Sequence, residues 1–515
     1  MALHLCKTLA SFILEYPEIL LSIACFSILF LINTGNRLPV TWPVVGMIPY
    51  LVHAPNLHDW LTDILRKSHC TFIFKGPWFC SMDLLLTCDP ANINHVFNSN
   101  FTNYHKDQNF SEIFDILGDG IFNADHDSWM FQRRKAHALI NNKRFKAFVA
   151  QASHDKVKRS LVPLLNHLAE KDELFDLQDV IMRLTLDLTC FMILGIDPCS
   201  LSIGFPSVPF AKAIDDAEEA LFYRHVTPLT WKWIRFTKEK KLANAWKTID
   251  HFIMHYISQR RSSTHENTKT KGDLLSSYLE SEEEVAGLGL GLGLGFDKFL
   301  RDTTLNLMLA GRDTTSSALT WFFWLVATHP QVETKILNEL KVKAYSLDKA
   351  YQNNDNLHCL IYLHAALLES LRLYPPVPFE HKGVHRKDVL PSGEQVDDSR
   401  MVVVSLYAMG RMEGIWGMDC MEFKPERWIS ESGKIKHEPS YKYFVFNCGP
   451  RSCLGRELAF TQMKAMAAAM IKSFVFKVKD GHVPRPKISI LLHMKDGLMV
   501  RVRKRDEDEE VEEEG

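Results

Sequence analysis

Through most of the chain, apolar residues return every three or four positions, the period of helices that bury one face. Long stretches of this kind are HDKVKRSLVPLLNHLAEK (His154 to Lys171), DVIMRLTLDLTCFMILG (Asp179 to Gly195) and AWKTIDHFIMHYISQRR (Ala245 to Arg261). Strand-like pieces are short: CTFIFKGPW, MDLLLTCDP, RMVVVSLYAM near Arg400, then SFVFKVKDG and GLMVRVRK close to the end. The pattern predicts a mainly α protein with small β-sheets. No boundary linker divides the body, so residues 37–505 read as one domain.

Both ends depart from this pattern. From Ile19 to Ile32, fourteen residues are apolar or small and uncharged. That is shorter than the roughly 20 residues of a spanning helix, but Tyr16, Pro17 and Asn33 to Gly35 extend it. A cleaved signal peptide is the rival. It is disfavoured because no basic cluster precedes the stretch, Glu15 and Glu18 lie just before it, and no small-x-small site follows. Arg37 comes next, then a strap punctuated by Pro39, Pro43 and Pro49. Residues 1–36 are therefore expected to be an uncleaved anchor, with the body on the cytoplasmic side. The opposite end, Asp506 to Gly515, carries eight acids and reads as a solvated, disordered tail.

Without those eight acids the net charge moves from −2 to +6, too little to argue for nucleic acid. Eleven scattered cysteines, an odd number, argue against a disulfide framework and for a reducing compartment. Between Glu282 and Lys298 lies a Gly-Leu alternation, residues 287–295, which reads as a flexible loop between helices. It is no dinucleotide fingerprint, because the third glycine of that pattern would fall on Leu292.

Candidate chemistry centres on FNCGPRSCLG, Phe446 to Gly455, which runs straight into the helical RELAFTQMKAMAAAM. Zinc needs about four N or S ligands, and only Cys448 lies near Cys453. A plant-type iron–sulfur loop needs another Cys where Arg456 stands, and no cysteine follows Cys453. An ordinary buried or redox-active thiol remains open, beside a thiolate ligand of haem iron, which needs only one Cys. The haem reading accounts for more of the loop. Gly449 and Gly455 permit close approach of a flat porphyrin, Phe446 can cover the sulfur, and Arg451 can meet a propionate. The start of the following helix turns its positive end toward the thiolate.

These residues make the chain resemble the cytochrome P-450 superfamily, whose haem signature F-x-x-G-x-R-x-C-x-G is met by Phe446, Gly449, Arg451, Cys453 and Gly455. ESLR supplies Glu369 and Arg372, and PERW supplies Arg427; the resemblance implies that these three form a buried structural network. LMLAGRDTTSSALTWFFWL, Leu307 to Leu325, resembles the family's oxygen-activating helix, which makes Asp313 and Thr314 the catalytic acid–alcohol pair that relays protons. Trp129 and Arg133 match W-x-x-x-R and are expected at the propionates, with Lys382 as a further candidate.

What the resemblance implies is the P-450 fold in a single haem domain, with Cys453 as axial ligand of haem b. It further implies O2 as co-substrate, NADPH electrons through NADPH-cytochrome P-450 reductase, and anchoring in the endoplasmic reticulum membrane with its lipid. Phrases such as FIFKGPWF, VLPSG and FKPERW look most like the plant fatty-acid and alkane hydroxylase clan, closest to its mid-chain alkane group. A hydrophobic small-molecule substrate, a long-chain alkane or related wax lipid, is then expected. Fatty-acid hydroxylation and oxidation or phenol coupling of an alkaloid are the alternatives. Phe110, Ile113, Phe114, Ile116, Leu117, Ile121, Phe122 and Phe379 are expected to line the pocket.

Overall fold

In the computed structural model, the described residues are 38–505, interrupted at 43, 54–55, 78–82, 227–235, 264–271, 281, 283–294 and 351–358, together with Glu18. The expected anchor, most of the Gly-Leu stretch and the acidic tail lie outside them. Among the described residues no helix is long and apolar enough to cross a membrane.

The protein is mainly helical with small sheets. The helices that position the site are α1 (Gln108–Ile113), α2 (His126–Ile140), α3 (Leu177–Leu194), α4 (Pro209–Val226), α5 (Phe236–Ser263), α6 (Gly295–Ala327), α7 (Ile361–Leu373) and α8 (Arg456–Ser473). The strands are β1 (Thr71–Phe74), β2 (Asp83–Thr87), β3 (Tyr104–His105), β4 (Phe175–Asp176), β5 (Phe379–Val384), β6 (Asp388–Val389), β7 (Gln395–Val396), β8 (Arg400–Ser405), β9 (Phe474–Val478) and β10 (Met499–Lys504). They form a mixed sheet in the order β1-β2-β8-β5-β3, an antiparallel sheet β4-β10-β9 and the ribbon β6-β7. In the first sheet β2 runs parallel to β8, with Leu85 opposite Val402, and the other pairs are antiparallel.

Local chemistry sets the boundaries. Asp176 caps α3 by accepting from the Gln178 amide, and Gly195 ends the helix at φ +70°, where a side chain would be strained. RMVVVSLYAM is not one strand. β8 stops at Ser405, whose hydroxyl accepts from the Ala408 amide and starts a short helix, Leu406–Met409. Strand β5 (FEHKGV) carries a Glu, a His and a Lys and follows a proline turn, so composition conceals it; pairing with β8 and β3 makes it a strand. The end of the Gly-Leu stretch is also not a loop, because Gly295 to Lys298 already belong to α6.

Two apolar cores result, one among the helices and one under the mixed sheet. Helix α6 runs through the first and is buried on nearly every face from Leu300 to Val326, its polar residues included. Two of its polar residues, Asp302 and Asn306, serve contacts with the 116–122 loop. Asp302 accepts from the Asp119 amide at 2.9 Å, and Asn306 donates to the Leu117 carbonyl at 2.9 Å and accepts from the Phe122 amide at 3.1 Å. Gly118 (φ +58°) must be glycine here, since a Cβ would sit 2.2 Å from the Asp302 carboxylate.

Glu369 and Arg372 on α7 are 0% and 2% exposed and form a bidentate pair with both contacts at 2.8 Å. Arg427 Nε reaches Glu369 at 3.2 Å and the Trp428 indole donates to it at 2.8 Å. The outer faces of both guanidiniums bind carbonyls. Arg372 takes Gly410, Cys420 (2.7 Å) and Glu422 (3.0 Å), and Arg427 takes Trp416 (2.8 Å) and Asp419 (2.9 Å). One anion thus fixes the irregular stretch from 410 to 428. Glu369→Ala should leave two guanidiniums without it and lower stability by about 3–5 kcal/mol. Thermal unfolding followed by circular dichroism measures this, and an unchanged midpoint would mean that the carbonyls alone hold the stretch.

Candidate active site

The loop before α8 is shaped by its own backbone. Asn447 stands at φ +60° and its side chain accepts from the Cys448 amide at 2.7 Å. The Cys453 amide donates to the Phe446 carbonyl at 2.8 Å, closing the turn. Gly449, at φ +64°, lies where a Cβ would be 2.1 Å from the Phe97 carbonyl, so no side chain fits. Gly455 keeps clear the space beside the sulfur, since a Cβ there would approach only Cys453 Sγ, at 4.0 Å.

The two cysteines of the loop part company. Cys448 is 2% exposed, and burial pushes its thiol up to about 12. Cys453 is exposed, but into the interior of a cavity of about 910 Å³ that it lines. Burial from bulk solvent raises its thiol, while the amides of Gly455 and Arg456 and the guanidiniums of Arg133 and Arg456 favour the anion. Phe446 also lines the cavity and packs on Phe460 at 5.4 Å.

A cationic cluster flanks the loop. Trp129 lies between Arg451, 4.6 Å from its ring, and Arg133, at 5.8 Å. Arg133 donates to the Ser452 carbonyl at 2.8 Å, and Arg451 to the Ala124 carbonyl at 2.7 Å and to Asp125. Lys382 is fully buried beside Phe97 and Phe101, its ammonium without a hydrogen-bond partner among the described residues, and burial drives it well below the usual lysine range. Lys106, which the sequence reading missed, pairs with Glu380 at 2.8 Å in the same field.

In their charged forms Lys106, Arg133, Lys382 and Arg451 would outnumber the carboxylates Asp125 and Glu380 by two, and burial holds Lys382 back from its charged form until an anion arrives. A buried ammonium without a partner demands an anion. A surplus of two would match the two propionates of haem b, and the cysteine in the adjoining cavity could supply an iron ligand, so the residues fit that group.

Thr314 and all eight expected lining residues are on the cavity wall. The Thr314 hydroxyl donates to the Ala310 carbonyl at 2.7 Å, which leaves its oxygen lone pairs for the cavity. Asp313 does not share that face. It is 0% exposed, 2.8 Å from Arg312, which also pairs with Asp215 at 3.0 Å. Burial and the neighbouring Glu218 hold its carboxyl well above the usual range despite Arg312. Asp313, Glu218 and His493 bring one ligand atom each within 4.8 Å. Of these two carboxyls, Glu218 and not Asp313 borders the cavity. Its trace in the sequence was a charge on the apolar face of α4, in register with Ile214 and Leu221.

Burial pushes Glu218 up to about 8, helped by Asp215 and opposed by Arg312, Asp313 and Lys487, while burial also keeps the adjacent His493 neutral. Because the folded state holds this proton more tightly than the unfolded chain, the associated stability is fully present below about pH 4.3, the ordinary glutamate value. It is lost as pH rises through about 8. Glu218→Gln, which cannot ionise, should therefore gain on the wild type as pH rises from about 5 to about 9. Melting temperatures across that range test this, and parallel curves for the two proteins would refute the raised carboxyl.

The cytochrome P-450 family model matches residues 37–500. Noroxomaritidine synthase 2 of Narcissus aff. pseudonarcissus MK-2014 is 45% identical over 508 residues, 95% of this chain and 97% of that protein. Alkane hydroxylase MAH1 of Arabidopsis thaliana is 43% identical over 501 residues, 95% of this chain and 99% of its own. Cytochrome P-450 86B1 of the same plant is 41% identical over 485 residues, 90% of this chain and 85% of its own. With a haem-fitting cavity and likeness along almost its full length, the chain belongs to the cytochrome P-450 family.

Proposed function

We propose that this monooxygenase hydroxylates an aliphatic C–H bond of a long-chain alkane or related wax lipid. The family uses haem iron, O2 and NADPH-derived electrons delivered by a reductase; one oxygen atom enters the product and the other leaves as water. The observation that carries the substrate reading is the cavity wall, where Phe110, Ile113, Phe114, Ile121, Phe122 and Phe379 offer apolar cover. Each buried methylene contributes about 0.8 kcal/mol, so a substrate without a polar handle can still be held. The MAH1 relative supports the same reading. A second reading, oxidation or phenol coupling of an alkaloid, is favoured by the relatives named noroxomaritidine synthase.

In this proposal Cys453 ligates the iron, while Lys106, Arg133, Lys382, Arg451 and Trp129 hold the propionates. Haem bound there supplies the activation of O2. Thr314 presents a hydroxyl that can pass protons inward, and Glu218 with Asp313 stores a proton behind it. Residues 1–36 anchor the protein in the endoplasmic reticulum membrane with the body facing the cytosol. NADPH-cytochrome P-450 reductase is the electron donor.

Cys453→Ala should abolish oxygenation and remove the thiolate signature from the reduced CO spectrum, whereas Cys448→Ala should leave both nearly intact. Loss of the signature in Cys448→Ala alone would move the ligand to Cys448. Thr314→Ala should keep haem but release hydrogen peroxide at the expense of product; NADPH consumed against product formed measures it. Full coupling in that variant would remove Thr314 from the proton path.

A further inference from the structure

The cavity wall, apolar over most of its area, has a polar spot on β5 that the hydroxylation reading does not use. His381 on β5 lines it, 5% exposed, with Nε2 buried and without a hydrogen-bond partner among the described residues. The ring is enclosed by Phe110 at 4.6 Å, Phe114 at 6.2 Å and His225 at 5.0 Å, on α1, the residue after it, and α4. Its strand neighbour Lys382 instead packs against Phe97 and Phe101, so the cluster beside the cysteine loop does not satisfy this imidazole.

His225 lines the cavity as well, and its Nδ1 lies 3.1 Å from the Leu221 carbonyl. A carbonyl only accepts, so Nδ1 carries the proton and Nε2 of the neutral ring is an acceptor. Burial makes both rings neutral, taking His225 down to about 4 and His381 well below its usual value. Lys106, whose charge acts on both rings, is engaged by Glu380 at 2.8 Å and lies 3.7 Å over the Phe110 ring. A neutral donor–acceptor site, with Lys106 already held by Glu380, suits a hydroxyl better than a carboxylate.

We propose that His381, with His225 beside it, forms a subsite that hydrogen-bonds a hydroxyl on an otherwise apolar substrate, either an aliphatic alcohol or a phenol. The inference rests on the reading of this cavity as the substrate chamber of a monooxygenase and narrows its substrate class. A subsite of this kind ties one end of the ligand and so fixes which carbon is presented for oxidation.

The test compares the purified wild type with His381→Phe, which keeps an apolar ring, and His381→Gln, which restores a donor and an acceptor. Each is titrated with an n-alkane, the primary alcohol and the fatty acid of equal length, and a 4-alkylphenol, following the Soret band. Unchanged reduced CO spectra establish that the variants are folded. The ratio of alcohol or phenol affinity to alkane affinity should fall about tenfold in His381→Phe and recover in His381→Gln, with the fatty acid gaining nothing from the histidine. Whichever of alcohol and phenol shows the larger effect identifies the source of the hydroxyl. A ratio unchanged by His381→Phe overturns the subsite, even if the alkane is bound and hydroxylated and the monooxygenase reading stands. A histidine-dependent ratio without oxidised product from NADPH and reductase overturns that reading and leaves the subsite intact.

Discussion

The carboxylate of Glu369 is the constraint on which the region around the site depends. It has no solvent, and it binds two guanidiniums and an indole at once. Those cations in turn take up the carbonyls of a stretch with little regular structure of its own. Buried ion pairs contribute little net stability, but breaking one is costly, and that asymmetry suits a part that must hold one geometry. Further contacts reach on toward the cysteine loop: Trp428 meets the Tyr443 ring at 4.7 Å, and the Tyr443 hydroxyl donates to Leu368 on α7 at 3.0 Å.

A second use of charge is unbalanced by design of the fold. Around Trp129 the cations outnumber the carboxylates, and Lys382 is buried among phenyl rings with no hydrogen-bonded anion among the described residues. Such a field favours a dianionic group, and the haem proposed for this site would stabilise the fold by binding there. The cluster at Arg312 has the opposite excess. Asp215, Asp313 and Glu218 share one guanidinium, so a proton stays with the carboxyls.

One cavity therefore gathers a thiol just before a helix start, a hydroxyl on α6 with two buried carboxyls behind it, and a largely apolar wall that carries His225 and His381. Each is carried by a different part of the chain, and α6 touches most of them. Its polar residues Asp302 and Asn306 tie down the loop that bears Ile121 and Phe122.

Features written in consecutive residues were legible without coordinates. The helices follow from a 3.6-residue period, the tight cysteine loop ahead of α8 from a ten-residue pattern, and Glu369 with Arg372 from charges spaced one turn apart in an apolar run. The side on which a residue works was not. Asp313 and Thr314 are neighbours in the chain, but a helix turns about 100° per residue, so one faces α4 and the other the cavity. Lys106, Glu218 and His381 acquire meaning only through partners far away in sequence, on β5, α6 and α4. Strand β5 itself exists because β8 and β3 supply its hydrogen bonds. Local patterns encode what each segment becomes; burial and charge balance arise between segments, and only packing decides them.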